Sequence, residues 1–87
     1  MKTLQAPRPC RVLLDRRAVR AVHFRERAWV VRQTMCVYTL CDPWRTLPGL
    51  EGEKRVYHQL YTTHGEIEVF ERVRGLEPGW YVTRWWD

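Results

Sequence analysis

Three histidines, three cysteines and a cluster of glutamates are the side chains of this 87-residue chain that could do chemistry. His23, His58 and His64 are its ordinary near-neutral bases, the kind of group a general base requires. The chain contains no serine, and no cysteine stands at a recognisable spacing from a histidine, so no nucleophile and base can be paired. A zinc site could be assembled from Cys36, Cys41, His58 and His64. Structural zinc sites take paired ligands from a tight knuckle, however, and CVYTLC at 36–41 reads as extended strand. Glu66 and Glu68 fall on one strand face and Glu71 on the other, as on a solvated edge rather than in a carboxylate metal site. No P-loop, dinucleotide glycine fingerprint or zinc-protease helix occurs. The expectation is a protein without catalytic residues, metal or cofactor, in which Cys10, Cys36 and Cys41 act as small hydrophobes.

Charge offers a second kind of chemistry. Residues 1–34 hold nine Lys or Arg against two acids, and residues 35–87 hold six against eight, so the net +5 originates in the first third. Thirteen of the fifteen cations are arginine, whose planar fork suits bidentate contact with phosphate or carboxylate. Arg11, Arg16, Arg17, Arg20, Arg25, Arg27 and Arg32 form the candidate phosphate-binding set. Tyr57, Tyr61 and Trp85 are candidates to stack bases, with Trp44 as a further contact or a cap on the core. The same arginines also alternate with apolar residues, as solvated strand faces do.

The elements that would position these groups read as strands. CRVLLD at 10–15 is a short apolar run ended by DRR, and AVRAVHF at 18–24 alternates with period two. RERA links it to the β-branched and aromatic run WVVRQTMCVYTL at 29–40, a hairpin without the usual Gly or Asn in its turn. The Pro- and Gly-rich stretch around 41–53 reads as a long loop carrying Trp44. KRVYHQLYT and EIEVFERV flank THG, in which Gly65 supplies a positive backbone angle, and GWYVTRWW closes the series. No helical periodicity appears. The expected fold is all-β, an antiparallel meander of about six strands forming a closed or partly open barrel or roll.

Alternation in the last strand puts Trp80, Val82, Arg84 and Trp86 on one face and Tyr81, Thr83 and Trp85 on the other. Trp80, Val82 and Trp86, with Ile67 and Val69, are the expected core, and Trp85 is the expected outward ring. Residues 1–87 make one domain, with 1–9 expected as a flexible N-terminal segment. No apolar run is long enough for a membrane helix, and MKTLQAPRPC lacks the apolar segment of a signal peptide, which leads to the expectation of a cytoplasmic protein.

The stretch VYHQLYTTHGEIEVFERVRGLEPGWYVTRWWD resembles the C-terminal half of a family of small, uncharacterised bacterial domains. The places that carry the likeness are Gly65, Phe70, Gly79, Trp80, Tyr81, Val82, Arg84, Trp86 and Asp87, followed more loosely by Pro9, Val12, Phe24, Trp29, Val31, Trp44 and Arg45. The family's glycine between the second and third strands is absent here. Members are associated with translesion polymerase systems, so the resemblance implies a DNA-repair context and no chemistry. Two functions stay open: a nucleic-acid-associated accessory that meets single-stranded nucleic acid or a repair polymerase, and a protein-interaction or homodimerisation module using the aromatic C-terminal strand.

Overall fold

The computed structural model describes residues 2–41, 53–75 and 77–86. These form seven strands: β1 (Lys2–Pro9), β2 (Arg11–Asp15), β3 (Ala18–Phe24), β4 (Arg27–Cys41), β5 (Lys54–Thr62), β6 (Gly65–Arg74) and β7 (Gly79–Trp86). All pairing is antiparallel, in the order β1-β7-β6-β5-β4-β3-β2, and the sheet curls into a half-barrel. The all-β class is therefore as the sequence suggests. The described residues contain no helix, hence none long and apolar enough to cross a membrane.

The seventh strand comes from the N-terminal segment. Lys2–Pro9 is not a free tail but β1, paired with β7 through Lys2↔Trp85, Thr3↔Arg84, Arg8↔Val82 and Pro9↔Tyr81. Its prolines are tolerated because β1 ends the sheet, where a missing N–H donor costs no ladder bond. Cys10 then donates its amide to the Trp80 carbonyl (3.0 Å), and the chain passes directly into β2 at the opposite end of the strand order. β4 plays the complementary role: Arg27–Val30 pairs with β3 and Val31–Cys41 with β5. Bulges at Arg32 and Met35 bend it near the start of the second part. A three-stranded layer, β2-β3-β4, thus joins a five-stranded layer, β4-β5-β6-β7-β1.

The core lies between the layers. Val19, Val22, Phe24 and Trp29 meet Leu60, Ile67, Val69, Val82 and Trp85, with Cys10, Val12, Val31 and Trp80 packed against them. Trp29 donates its indole N–H to the Phe24 carbonyl (3.1 Å), which locks the β3–β4 turn to the core. Thr63 donates its amide to the Val30 carbonyl (3.0 Å), tying the β5–β6 turn to the bend in β4.

The alternation expected of the last strand is broken. Glu68 stands opposite Arg84 but Val69 opposite Val82, so Thr83 is an extra residue in β7. Beyond it the parity reverses. Trp80 and Val82 face the core as expected, as do Ile67 and Val69, but Trp85 follows them inward, only 5% exposed. Trp86, expected in the core, is half-buried on the outer face with the Arg84 guanidinium 5.3 Å from its ring centre.

The expected loop at 41–53 falls largely on residues 42–52, so Trp44 and Arg45, like Asp87, lie outside the described residues.

Candidate nucleic-acid interface

The three-stranded layer carries the charge. Residues 11–32 hold seven arginines against Asp15 and Glu26, a net +5, while the rest of the chain holds eight Lys or Arg against eight acids. The entire net charge of the protein therefore sits on β2, β3, their turns and the first half of β4. Arg11, Arg16, Arg17, Arg20, Arg25, Arg27 and Arg32 are all exposed. Of these seven, only Arg20 has a described carboxylate within ion-pair reach, Asp15 at 3.6 Å, with both side chains solvated. Such an exposed pair holds its cation weakly.

The turns explain how the arginines are displayed. Arg16 and Arg17 (φ 50° and 69°) join β2 to β3, and Arg25 and Glu26 (φ 55° and 61°) join β3 to β4. Paired left-handed residues make a type I′ turn, whose twist matches antiparallel strands and which ordinarily takes Asn-Gly. The missing glycine of the second turn is thus replaced by residues that adopt its conformation at a cost.

The seven arginines do not converge on one pocket. Arg16 and Arg17 lie at one end of β3 and Arg25 and Arg27 at the other, roughly 20 Å apart for a strand rising about 3.3 Å per residue. Arg11 stands directly opposite His23 across the β2–β3 pair. Both line a shallow depression of about 200 Å³ with Val12, Leu13 and Ala21, and an adjoining one of about 430 Å³ with Pro9 and Cys10. Arg25 is drawn back over Trp85, 5.2 Å from the ring centre. The arrangement is a basic layer, not a cleft.

The rings expected beside the arginines are elsewhere. Tyr57 is 9% exposed and lies between Tyr38 and Phe70, with ring centres 5.0 and 5.1 Å away. Trp85 meets Phe24 edge to face at 5.2 Å inside the core. Neither can receive a base. Of the stacking candidates on the described residues, only Tyr61 is exposed. The burial of Trp85 also removes the outward ring from a docking surface on the C-terminal strand.

Two polar arrangements in the five-stranded layer escaped the sequence reading. Tyr38, Tyr57, Phe70 and Tyr81 stand opposite one another across four strands on its outer face. The guanidinium groups of Arg55 and Arg72 lie 4.7 and 5.7 Å from the Phe70 ring centre, and Arg72 lies 4.8 Å from that of Tyr81. Glu53 pairs with both arginines, at 2.8 and 2.5 Å. The Arg55 hydrogen bond is the main reason its carboxyl titrates below the usual range. Beside this row, Glu68 is buried rather than solvated, a correction to its reading as edge. It accepts hydrogen bonds from Gln59 Nε2 (2.9 Å), Thr83 Oγ1 (2.8 Å), Arg84 Nη2 (2.9 Å) and Tyr38 Oη (3.3 Å). Burial alone would raise its pKa, but the bonds from Gln59, Thr83 and Arg84 outweigh that and lower it. A signal existed: Phe70 shares the parity of Glu66 and Glu68, so that face was never wholly polar.

The histidines are dispersed. His58, its pKa lowered by burial, packs at 5.2 Å against Trp80, while His64 meets Trp29 edge to face at 5.7 Å. Among the described residues no three of His, Cys, Asp and Glu converge as a metal site would require. Cys10 is half-buried, with its thiol pushed up to about 12 by desolvation, and Cys36 and Cys41 are exposed on β4. Comparison with known protein families, curated proteins and solved structures found no match to this chain.

Proposed function

We propose that this chain is a non-enzymatic β module that holds single-stranded nucleic acid by its phosphates through the basic layer β2-β3-β4. The observation that carries the reading is the segregation of the whole net charge onto residues 11–32, with arginines that the described carboxylates leave almost entirely uncompensated. Arginines spread over both turns and the intervening strands suit an extended polyanion better than a compact anion such as a nucleotide. Because Tyr57 and Trp85 are buried, the contact rests on phosphate rather than on stacked bases, and binding is indifferent to sequence. The resemblance to domains associated with translesion polymerases supports an accessory role in DNA repair, where single strands are the substrate at hand.

The test is fluorescence anisotropy of a labelled single-stranded oligonucleotide across a salt series. Five to seven phosphate contacts give a slope of log K against log salt of about −3.5 to −5. Replacing Arg16 and Arg17 by Asn and Gly removes two cations and flattens that slope by about 1.4. Binding insensitive to salt, or a slope unchanged in the double variant, would overturn the proposal.

A further inference from the structure

Among the described residues, the second half of β4 is an open strand edge. β3 covers only Arg27–Val30, so among the described residues the stretch from 33 to 41 pairs on one side alone, with β5. Proteins normally protect such edges with charge, proline or distortion. β1, which ends the sheet, carries Pro7, Arg8 and Pro9 and a break in register between Thr3 and Arg8. β2, at the other end, carries Arg11 and Asp15. Beyond its bulge at Met35 the β4 edge has none of this among the described residues. QTMCVYTLC is the longest run in the chain without a Lys, Arg, Asp, Glu or His. Past Met35 its register with β5 is regular from Cys36 to Cys41. Val37 and Leu40 stand 52% and 53% exposed there.

We infer that this edge pairs with the same edge of a second copy, β4 against β4 in antiparallel register about a two-fold axis, which continues the five-stranded layer into a ten-stranded one. Charge selects the occupant. Two copies of a +5 chain repel, but the stretch 36–40 carries no charge and meets its own copy with no like charges opposed. Side-chain pattern supports the register. The row Tyr81–Phe70–Tyr57–Tyr38 stops at the free edge with Tyr38, half-buried and in contact with Tyr57 alone among the rings. An axis through Tyr38 places it beside its symmetry mate, Cys36 beside Leu40, and Val37 beside Thr39. The two aromatic rows then run on as one.

The test is the solution mass of the protein without nucleic acid, by light scattering coupled to size exclusion, together with two charge variants. The natural chain is expected at twice its 10.6 kDa. Val37→Lys, which puts like charges into the paired edge at an exposed position, is expected at the monomer mass with an unchanged far-ultraviolet spectrum. Leu13→Lys adds the same charge on β2, remote from the edge, and stays dimeric. A monomeric natural chain would overturn self-pairing and leave the edge to a strand of another protein. A dimer that survives Val37→Lys, or one that Leu13→Lys also dissociates, would equally overturn it.

Discussion

Replacing Trp85 and Trp86 separately by alanine tests whether the extra residue at Thr83 reverses the face of the last strand. Trp85 is 5% exposed, meets Phe24 edge to face and lies beneath the Arg25 guanidinium. Truncating a buried tryptophan costs about 3 to 5 kcal/mol in lost transfer energy and cavity formation. A chain of this length has about 4 to 13 kcal/mol of stability, so Trp85→Ala removes about a quarter of it or more. At about 4 to 8 °C per kcal/mol, the melting temperature falls by at least about 12 °C. Trp86 is only half-buried, and its main partner is the Arg84 guanidinium over the ring. Its removal costs about 1 kcal/mol, mostly cation–π and partial burial. The assay is thermal and urea unfolding of both variants, with circular dichroism confirming the native sheet. Trp86→Ala more damaging than Trp85→Ala would mean that alternation continues unbroken through Thr83 and that the packing of β7 is misassigned.

Replacing Arg16 by Asn and Arg17 by Gly relieves two strained left-handed residues and is expected to raise stability by about 1 kcal/mol or more while weakening nucleic-acid binding; a loss of stability would refute the turn assignment. Glu68→Gln, which disturbs a carboxylate with four donors, is expected to cost about 1 to 3 kcal/mol in denaturant unfolding, and a neutral result would place Glu68 in solvent. Because the folded pKa of Glu68 lies below its unfolded value, its contribution to stability is full above the ordinary carboxylate range. That contribution is lost as pH falls through the lowered pKa, so acid unfolding should be shallower in Glu68→Gln than in the natural chain. Thiol labelling of the Val37→Lys variant, expected to be monomeric, at neutral pH should modify Cys36 and Cys41 quickly and Cys10 only slowly, since burial disfavours its thiolate; equal rates for all three would count against that burial.

The sequence made the strands legible because period two is a local property. KRVYHQLYT, THG and EIEVFERV turn at the expected hairpin, and Ile67, Val69, Trp80 and Val82 face the core. It failed where a single residue changes parity. A bulge at Thr83 has no compositional mark, yet it exchanges Trp85 for Trp86. It failed again at β1, where Pro7 and Pro9 look like breakers until their place at the end of the sheet is known. The burial of Tyr57 and Glu68 depends on neighbours across strands, Phe70, Arg84 and Gln59, which only the register brings together. The arginine set was visible as composition, but its gathering into one layer, and its spread over both ends of that layer, required the topology.

Amide chemical-shift mapping during titration with a short single-stranded oligonucleotide at low salt bears most directly on the proposed function. Perturbations are expected along residues 11–32, largest at Arg16, Arg17, Arg25 and the Arg11–His23 pair, with β5, β6 and β7 little changed. Shifts centred on the outer aromatic row of Tyr38, Tyr57, Phe70 and Tyr81, or none at saturating oligonucleotide, would show that the basic layer is not the contact surface.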